Sequence, residues 1–311
     1  MQKKLSIGVD VGGSHISCKV IDLNTRQLGN VGFNSLPMNN QGSKESVFET
    51  FAELINPCIQ QVGKENVVGI GLAFPGPIDY ENGVGQFTGE NSKYQNLNQV
   101  NIREELRDRV DIAGDQIRFI NDATAFAAGE YFNGELTGSC RSLAITLGTG
   151  FGAAFLDMGV PVISDEKVPE GGCLWHLPFD KGIADDYFST RGLVERFNVL
   201  SNRYVEGVKE MAELYSTNHI AQEVFTDFGN KLALFLRPWL QKFEVDKMVI
   251  GGNISRAFHL FEGALNHGLK QTGLNVLVKP SSRLEDSAFI GAAMLLDDDF
   301  YQSVKEQLKR M

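Results

Sequence analysis

Leu5-Ser-Ile-Gly-Val-Asp10-Val-Gly-Gly-Ser14, followed by Ile16-Ser-Cys-Lys-Val-Ile-Asp22, consists of two apolar runs joined across a Gly-Gly turn, the pattern of strand, tight turn and strand. The same plan returns at Ser142-Leu-Ala-Ile-Thr-Leu-Gly148-Thr-Gly150-Phe-Gly152, continuing into Ala153-Ala-Phe-Leu-Asp157 and Met158-Gly-Val-Pro-Val162. The two units begin about half a chain apart, which predicts a duplicated lobe.

Between them, residues 43–62 carry Val47, Phe48, Phe51, Leu54 and Ile55 at helical spacing, and residues 67–74 read as a buried strand ended by Pro75-Gly-Pro77. Beyond the second unit, residues 193–215 and 220–243 have helical patterns, with Pro238 expected to kink or break the latter. Lys247-Met-Val-Ile250 is an expected strand running into Gly251-Gly-Asn-Ile-Ser255. A helix over about 256–272, a strand over 276–278, a helix over 288–296 and a charged terminal helix complete the α/β pattern. No low-complexity linker interrupts the chain, and the lobe boundary is expected near the strand 117–120. The expected domains are 1–120, completed by a C-terminal helix 298–311, and 121–297.

Composition excludes several classes of function. The 311 residues include 29 Lys+Arg against 39 Asp+Glu, a net charge of -10, which argues against a general nucleic-acid or anionic-membrane surface. Apolar stretches are too short and too interrupted by glycine to cross a bilayer, so no membrane role is expected. The four cysteines, Cys18, Cys58, Cys140 and Cys173, form no CxxC pair; with no secretory leader ahead of the first strand, they read as free thiols of a cytoplasmic protein.

Asp10, at a strand end and followed by Gly12, Gly13 and Ser14, places a carboxylate beside approachable backbone amides. Triphosphate binding needs that pairing: bare N–H groups cradle anionic oxygens while the carboxylate holds Mg²⁺ through water. An ordinary hairpin turn has the same local pattern. The second loop, with Thr146, Gly148, Thr149 and Gly150, offers small residues and hydroxyls able to wrap a phosphate. Its GxGxG stands between two strands with no helix after it, so a dinucleotide-binding fingerprint is excluded. Gly251, Gly252 and Asn253 lie between a strand and a helix, the place for a backbone-lined adenosine pocket; a turn capped by Ser255 is the plainer alternative. Asp122 follows an apolar strand and opens an Ala-rich helix, where it is either a helix cap or a base for a hydroxyl proton.

Three glycine turns in the order phosphate, phosphate, adenosine match the plan of the sugar kinase, heat-shock protein and actin superfamily. Together with Gly69-Ile-Gly-Leu-Ala-Phe-Pro-Gly-Pro-Ile-Asp79 and Asn121-Asp-Ala-Thr-Ala-Phe-Ala-Ala-Gly-Glu130, they resemble the ROK family of repressors, open reading frames and sugar kinases over nearly the whole chain. The resemblance implies a two-lobed actin-like (ribonuclease H-like) ATPase fold, with ATP and sugar in the interdomain cleft. It implies an ATP- and Mg²⁺-dependent kinase acting on a hexose or N-acetylhexosamine, assembled as a homodimer. Asp122 is then the general base, Asn121 a sugar ligand and Asn91 a further one. Glucose is the default acceptor, with N-acetylmannosamine, fructose, allose and N-acetylglucosamine as alternatives. The family also contains sugar-responsive DNA-binding regulators, which carry a helix-turn-helix segment ahead of the first phosphate loop; a non-catalytic sugar sensor is a third reading.

The chain departs from the family pattern in Glu170-Gly-Gly-Cys173-Leu-Trp-His176 and in Asp185-Asp-Tyr-Phe-Ser189. His176 is kept, Cys173 stands where a sugar-binding glutamate is usual, and Asp185 stands where a second glutamate is usual. Glu170 is the candidate replacement for the first. The intervening loop is short and lacks cysteine, so no zinc site is expected from one thiol and one histidine. His176 is then a sugar partner or a core histidine.

Overall fold

Strand β1 (Leu5–Val11) turns directly into β2 (His15–Asp22), which pairs antiparallel with it and carries β3 (Gln27–Leu28) and β4 (Asn34–Pro37) on its outer edge. Helix α1 (Lys44–Val62) starts at Ser43, whose Oγ accepts from Ser46 N at 3.2 Å, and buries Val47, Phe48, Phe51, Leu54 and Ile55 as its periodicity predicts. The chain returns as β5 (Val67–Phe74), parallel to β1. Both strands are near-continuous apolar runs because both faces of a central parallel pair are covered. The short strands β6 (Ile78–Asp79) and β7 (Val84–Gly85) and helix α2 (Ile102–Arg107) precede β8 (Ile117–Asn121). Strand β8 extends the sheet parallel to β5, giving the order β3-β2-β1-β5-β8, and feeds α3 (Asp122–Asn133).

The plan then repeats. Strands β9 (Arg141–Leu147), β10 (Phe151–Asp157) and β11 (Val160–Val162) form an antiparallel meander. A small hairpin of β12 (Pro178–Phe179) and β13 (Gly182–Ile183) leads to helices α4 (Ala184–Phe188), α5 (Thr190–Ser201), α6 (Val208–Leu214) and α7 (His219–Phe243). Strand β14 (Lys247–Gly251) pairs parallel to β9; after α8 (Phe258–Lys270), β15 (Leu277–Pro280) adds beside it, giving β11-β10-β9-β14-β15. Phe151, Phe188 and Phe235 meet in this core, with Phe188 ring centroids 5.4 Å from Phe151 and 5.3 Å from Phe235. Finally α9 (Glu285–Met294) and α10 (Asp298–Leu308) rejoin the first half.

This computed structural model describes residues 4–29, 34–88, 93–271 and 273–311. Two compact units result, Met1–Thr137 with Glu285–Met311, and Gly138–Leu284. The divisions fall at 137/138 and 284/285 instead of the expected 120/121 and 297/298, because α3 and α9 pack on each other and belong with the first sheet.

Two helical expectations are corrected. Pro238 neither breaks nor ends α7, which is continuous from His219 to Phe243. The carbonyl deprived of its helical donor belongs to Leu234, an exposed residue, while buried Leu232, Leu236, Leu240 and Phe243 hold the helix on both sides of the proline. The single helix expected over 193–215 is instead α5 and α6, separated where Asn202 adopts a left-handed conformation at φ 49.

Helices α3 and α9 meet at backbone distance. A Cβ on Gly129 would stand 1.8 Å from Ser287 O, and one on Gly291 1.8 Å from Ala125 O, so neither position accepts even a methyl group without separating the helices. Buried Glu130 sits in the same seam, its Oε1 accepting from Ser287 Oγ at 2.7 Å and its Oε2 from Glu135 N at 2.8 Å. Gly291→Ala is expected to destabilise the protein by roughly 1–3 kcal/mol or more through overpacking, read as a lower urea midpoint; an unchanged midpoint would show that the seam can open at no cost.

Candidate active site

The β1–β2 turn holds Gly12, Gly13 and Ser14 immediately after Asp10. Gly12 N donates to His15 O at 2.9 Å, closing the turn. Its carbonyls face protein donors: Tyr94 Oη donates to Gly12 O at 2.6 Å, Asn40 Nδ2 to Gly13 O, and Met38 N to Ser14 O at 2.8 Å. Among the described residues, no protein acceptor takes the N–H of Gly13 or Ser14. A turn with its carbonyls occupied and its N–H groups open is chemically an anion cradle. The side chain of Lys93 lies over it, with Cε 3.2 Å and Nζ 3.5 Å from where a Cβ on Gly13 would stand.

Asp10 is half-buried, and desolvation, reinforced by the charges of Asp122 and then Glu285, raises its pKa to about 7. Helix α9 brings Glu285 there, its first turn tied to β2 by an ion pair between Lys19 and Asp286. A carboxylate so destabilised is a seat for a hard cation, but the described residues contain no group of three His, Cys, Asp or Glu side chains able to enclose one. The donor set therefore fits Mg²⁺ carried mainly by water and phosphate oxygens, not a metal caged by protein.

At the start of α3, the capping role belongs to Asn121: its Oδ1 accepts from Thr124 N at 3.2 Å. Its Nδ2 donates to Asp122 Oδ1 at 3.0 Å and approaches Tyr80 Oη at 3.4 Å. Asp122 Oδ1 also accepts from Ala123 N at 2.8 Å, whereas Oδ2 has no protein donor among the described residues. Asp122 is thus oriented through one oxygen and presents the other. Desolvation raises its pKa, opposed by the Ala123 N–H, the Lys93 charge, its own N–H and Asn121. Buried Tyr80 supports this corner by donating to Phe74 O at 3.0 Å. Asn91 lies outside the described residues.

In the second unit, Gly148, Thr149 and Gly150 link β9 to β10, with Gly148 N donating to Gly150 O at 3.1 Å and Gly148 O accepting from Thr190 N at 2.7 Å. Thr146 pairs with Gly251, and Gly252, at φ +78, approaches so closely that a Cβ there would stand 2.3 Å from Leu147 O. The second and third glycine loops are therefore adjacent. Exposed Asn253 opens a 3-10 turn, Asn253–Ala257, ahead of α8, which begins at Phe258, close to the expected start at about 256. Ser255 is not the helix cap: its Oγ donates to Gly252 O at 2.7 Å and tightens the turn.

Asp185 joins the second loop, its Oδ1 accepting from Phe151 N at 2.7 Å, and Arg191 Nη2 lies 3.4 Å from its Oδ2. Cys173 Sγ lies 3.7 Å from both His176 Nδ1 and Glu170 O, and the Glu170 side chain is exposed. The structure therefore brings Asp10, the first turn, Asn121 and Asp122 together in one unit. It brings the second and third loops and Asp185 together in the other, where Asp185 N donates to Trp175 O at 3.0 Å and so joins the segment of Glu170, Cys173 and His176 to them. Sequence reasoning missed Lys93, Tyr94, Asn40, Tyr80 and Glu285. Only the nearness of Lys93 to the expected Asn91 was a signal.

Residues 6–299 match the ROK family, and the chain belongs to it. It is 26% identical to the glucokinase of Thermotoga maritima, covering 96% of this chain and 99% of that one. It is 24% identical to the N-acetyl-D-glucosamine kinase of Haemophilus influenzae, covering 93% and 98%. A ROK glucokinase from Streptomyces griseus, solved with glucose and AMPPNP, shares the fold at a TM-score of 0.74 with 19% identity over 94% of this chain and 99% of that one.

The raised pKa of Asp10 has a thermodynamic sign. Between its ordinary value of 3.8 and about 7 the folded protein holds a proton that the unfolded chain releases, so this contribution is present at low pH and lost as pH rises through about 7. Asp10→Asn is therefore expected to gain stability over wild type, by a margin that grows from pH 4.5 to pH 8, in metal-free thermal unfolding. A margin independent of pH would mean that Asp10 is not held out of water in the folded state.

Proposed function

We propose that this protein is an ATP-dependent sugar kinase that phosphorylates a hydroxyl of glucose or a related hexose or N-acetylhexosamine. The observation that carries this reading is the division of labour at α3: Asn121 caps the helix, which frees Asp122 Oδ2 to face an acceptor. The names of the glucokinase and N-acetyl-D-glucosamine kinase relatives support a sugar as that acceptor and favour glucose and N-acetylglucosamine as the first candidates to test.

In this reading the N–H groups of Gly13 and Ser14, with Thr146, Gly148, Thr149 and Gly150, hold phosphate oxygens, while Gly251, Gly252 and Asn253 hold the adenosine. Asp10 would hold Mg²⁺ through water, and the cation would supply screening of the phosphate charge. The acceptor oxygen forms its bond to the γ-phosphorus as the bond to the β–γ bridging oxygen breaks. The electron pair leaves with ADP, and the hydroxyl proton passes to Asp122 Oδ2. A raised pKa makes Asp122 a better proton acceptor than an exposed carboxylate. Asn121 orients that carboxylate as well as contacting sugar, and His176, Glu170, Asp185 and Asn91 are the further candidates for the ring hydroxyls. The Cys173–His176 pair carries no zinc in this proposal.

The homodimer and the cytoplasmic location implied by the family resemblance belong to the same proposal; no helix among the described residues is long and apolar enough to cross a membrane. The test is ADP release with ATP and Mg²⁺ against a panel of hexoses and N-acetylhexosamines. A sugar-dependent rate is expected in the wild type, reduced about 10²–10⁴-fold in Asp122→Asn with sugar binding retained. Saturable sugar binding without turnover would replace the kinase by a sugar sensor.

A further inference from the structure

Resting on the kinase reading, we propose that Lys93 is a further catalytic residue, its ammonium group holding the transferred phosphoryl between the Gly12–Gly13 turn and the acceptor beside Asp122. The geometry comes from two directions. Lys93 Cε and Nζ lie 3.2 and 3.5 Å from the Cβ position of Gly13, over the turn in which the N–H groups of Gly13 and Ser14 have no protein acceptor among the described residues. The charge of Lys93 also acts on Asp122, which places the same ammonium within electrostatic reach of the base. A cation close to the donor cradle and acting on the base is suited to balance the negative charge redistributed during transfer.

The segment is fastened where this role requires it. Tyr94, next in the chain, is fully buried, donates its Oη to Gly12 O at 2.6 Å, and is held through its own N by Asn40 O at 3.1 Å. Asn40 in turn donates its side-chain amide to Gly13 O. Lys93 is therefore carried next to an anchor bonded to the same turn it overlies, which holds its backbone near the cradle. Glycine at 13 is part of the arrangement: a side chain there would meet the Lys93 stem.

The test compares wild type, Lys93→Met and Lys93→Arg for kinetics, binding and unfolding. Lys93→Met is expected to lower kcat about 10²–10³-fold with the KM for sugar changed less than about threefold, and Lys93→Arg to recover about tenfold of the loss. Calorimetry supplies a readout apart from turnover: the phosphorylated sugar is expected to bind Lys93→Met at least about tenfold more weakly than wild type while the parent sugar binds equally. An unchanged kcat in Lys93→Met overturns the proposal, as does equal weakening of sugar and sugar phosphate with a lowered unfolding midpoint, the signature of a structural role. Absence of turnover in the wild type with every sugar overturns the kinase reading, and this proposal with it.

Discussion

The approach of α9 to α3 at backbone distance is the contact on which the first unit depends. Gly129 and Gly291 remove the side chains that would hold the two helices apart, and hydrogen bonds from Ser287 and Glu135 satisfy the buried carboxyl group of Glu130 in the seam. Helix α3 opens with Asp122 and α9 opens with Glu285, so the seam also sets where both carboxylates stand with respect to Asp10 at the end of β1. A packing constraint between two helices thereby becomes an electrostatic constraint on the Asp10–Asp122 corner.

That corner is unfavourable by design of its chemistry. Asp10 is desolvated beside two other acids, and Asp122 is raised in pKa despite a helix N-terminus, an amide and a lysine pulling the other way. An arrangement of this kind is stabilised by ligands that bring positive charge or hydrogen-bond donors into it, so a cation-binding role for Asp10 would set stability against activity there. The neighbouring hydroxyls respond in the same sense: burial raises the pKa of both Tyr80 and Tyr94, with Asp122 and Asp10 adding to it. Both tyrosines therefore remain neutral hydrogen-bond donors to backbone carbonyls, and the turn and strand end they support keep their shape.

Local chemistry made much of this legible in advance. The two strand-turn-strand units were readable because glycine pairs after apolar alternation have few other uses, and α1 because five apolar residues fall on one face. Features that depend on distant residues were not. Nothing near Pro238 announces that Leu232, Leu236 and Leu240 would hold the helix across it, and nothing beside Gly291 announces Ala125. Asp122 was singled out with two possible roles, and only the side-chain geometry of Asn121 separates cap from carboxylate. Lys93 reads as one more surface lysine until the fold lays its stem over Gly13. The turn after Gly252 illustrates the reverse: its composition was right for a turn, but Ser255 closes a 3-10 turn where a helix cap was expected.

The first unit is built from both ends of the chain. Residues 1–137 contain the sheet, α1 and α3, yet α9 and α10 arrive only after the 147 residues of the second unit, Gly138–Leu284. On a ribosome the second unit, contiguous in sequence, can close as soon as it emerges, whereas the first must wait with the face of α3 that receives α9 exposed. Its closure is a contact of long sequence separation and correspondingly slow. The Asp10–Asp122 corner is thus completed only after the whole of the second unit has been made.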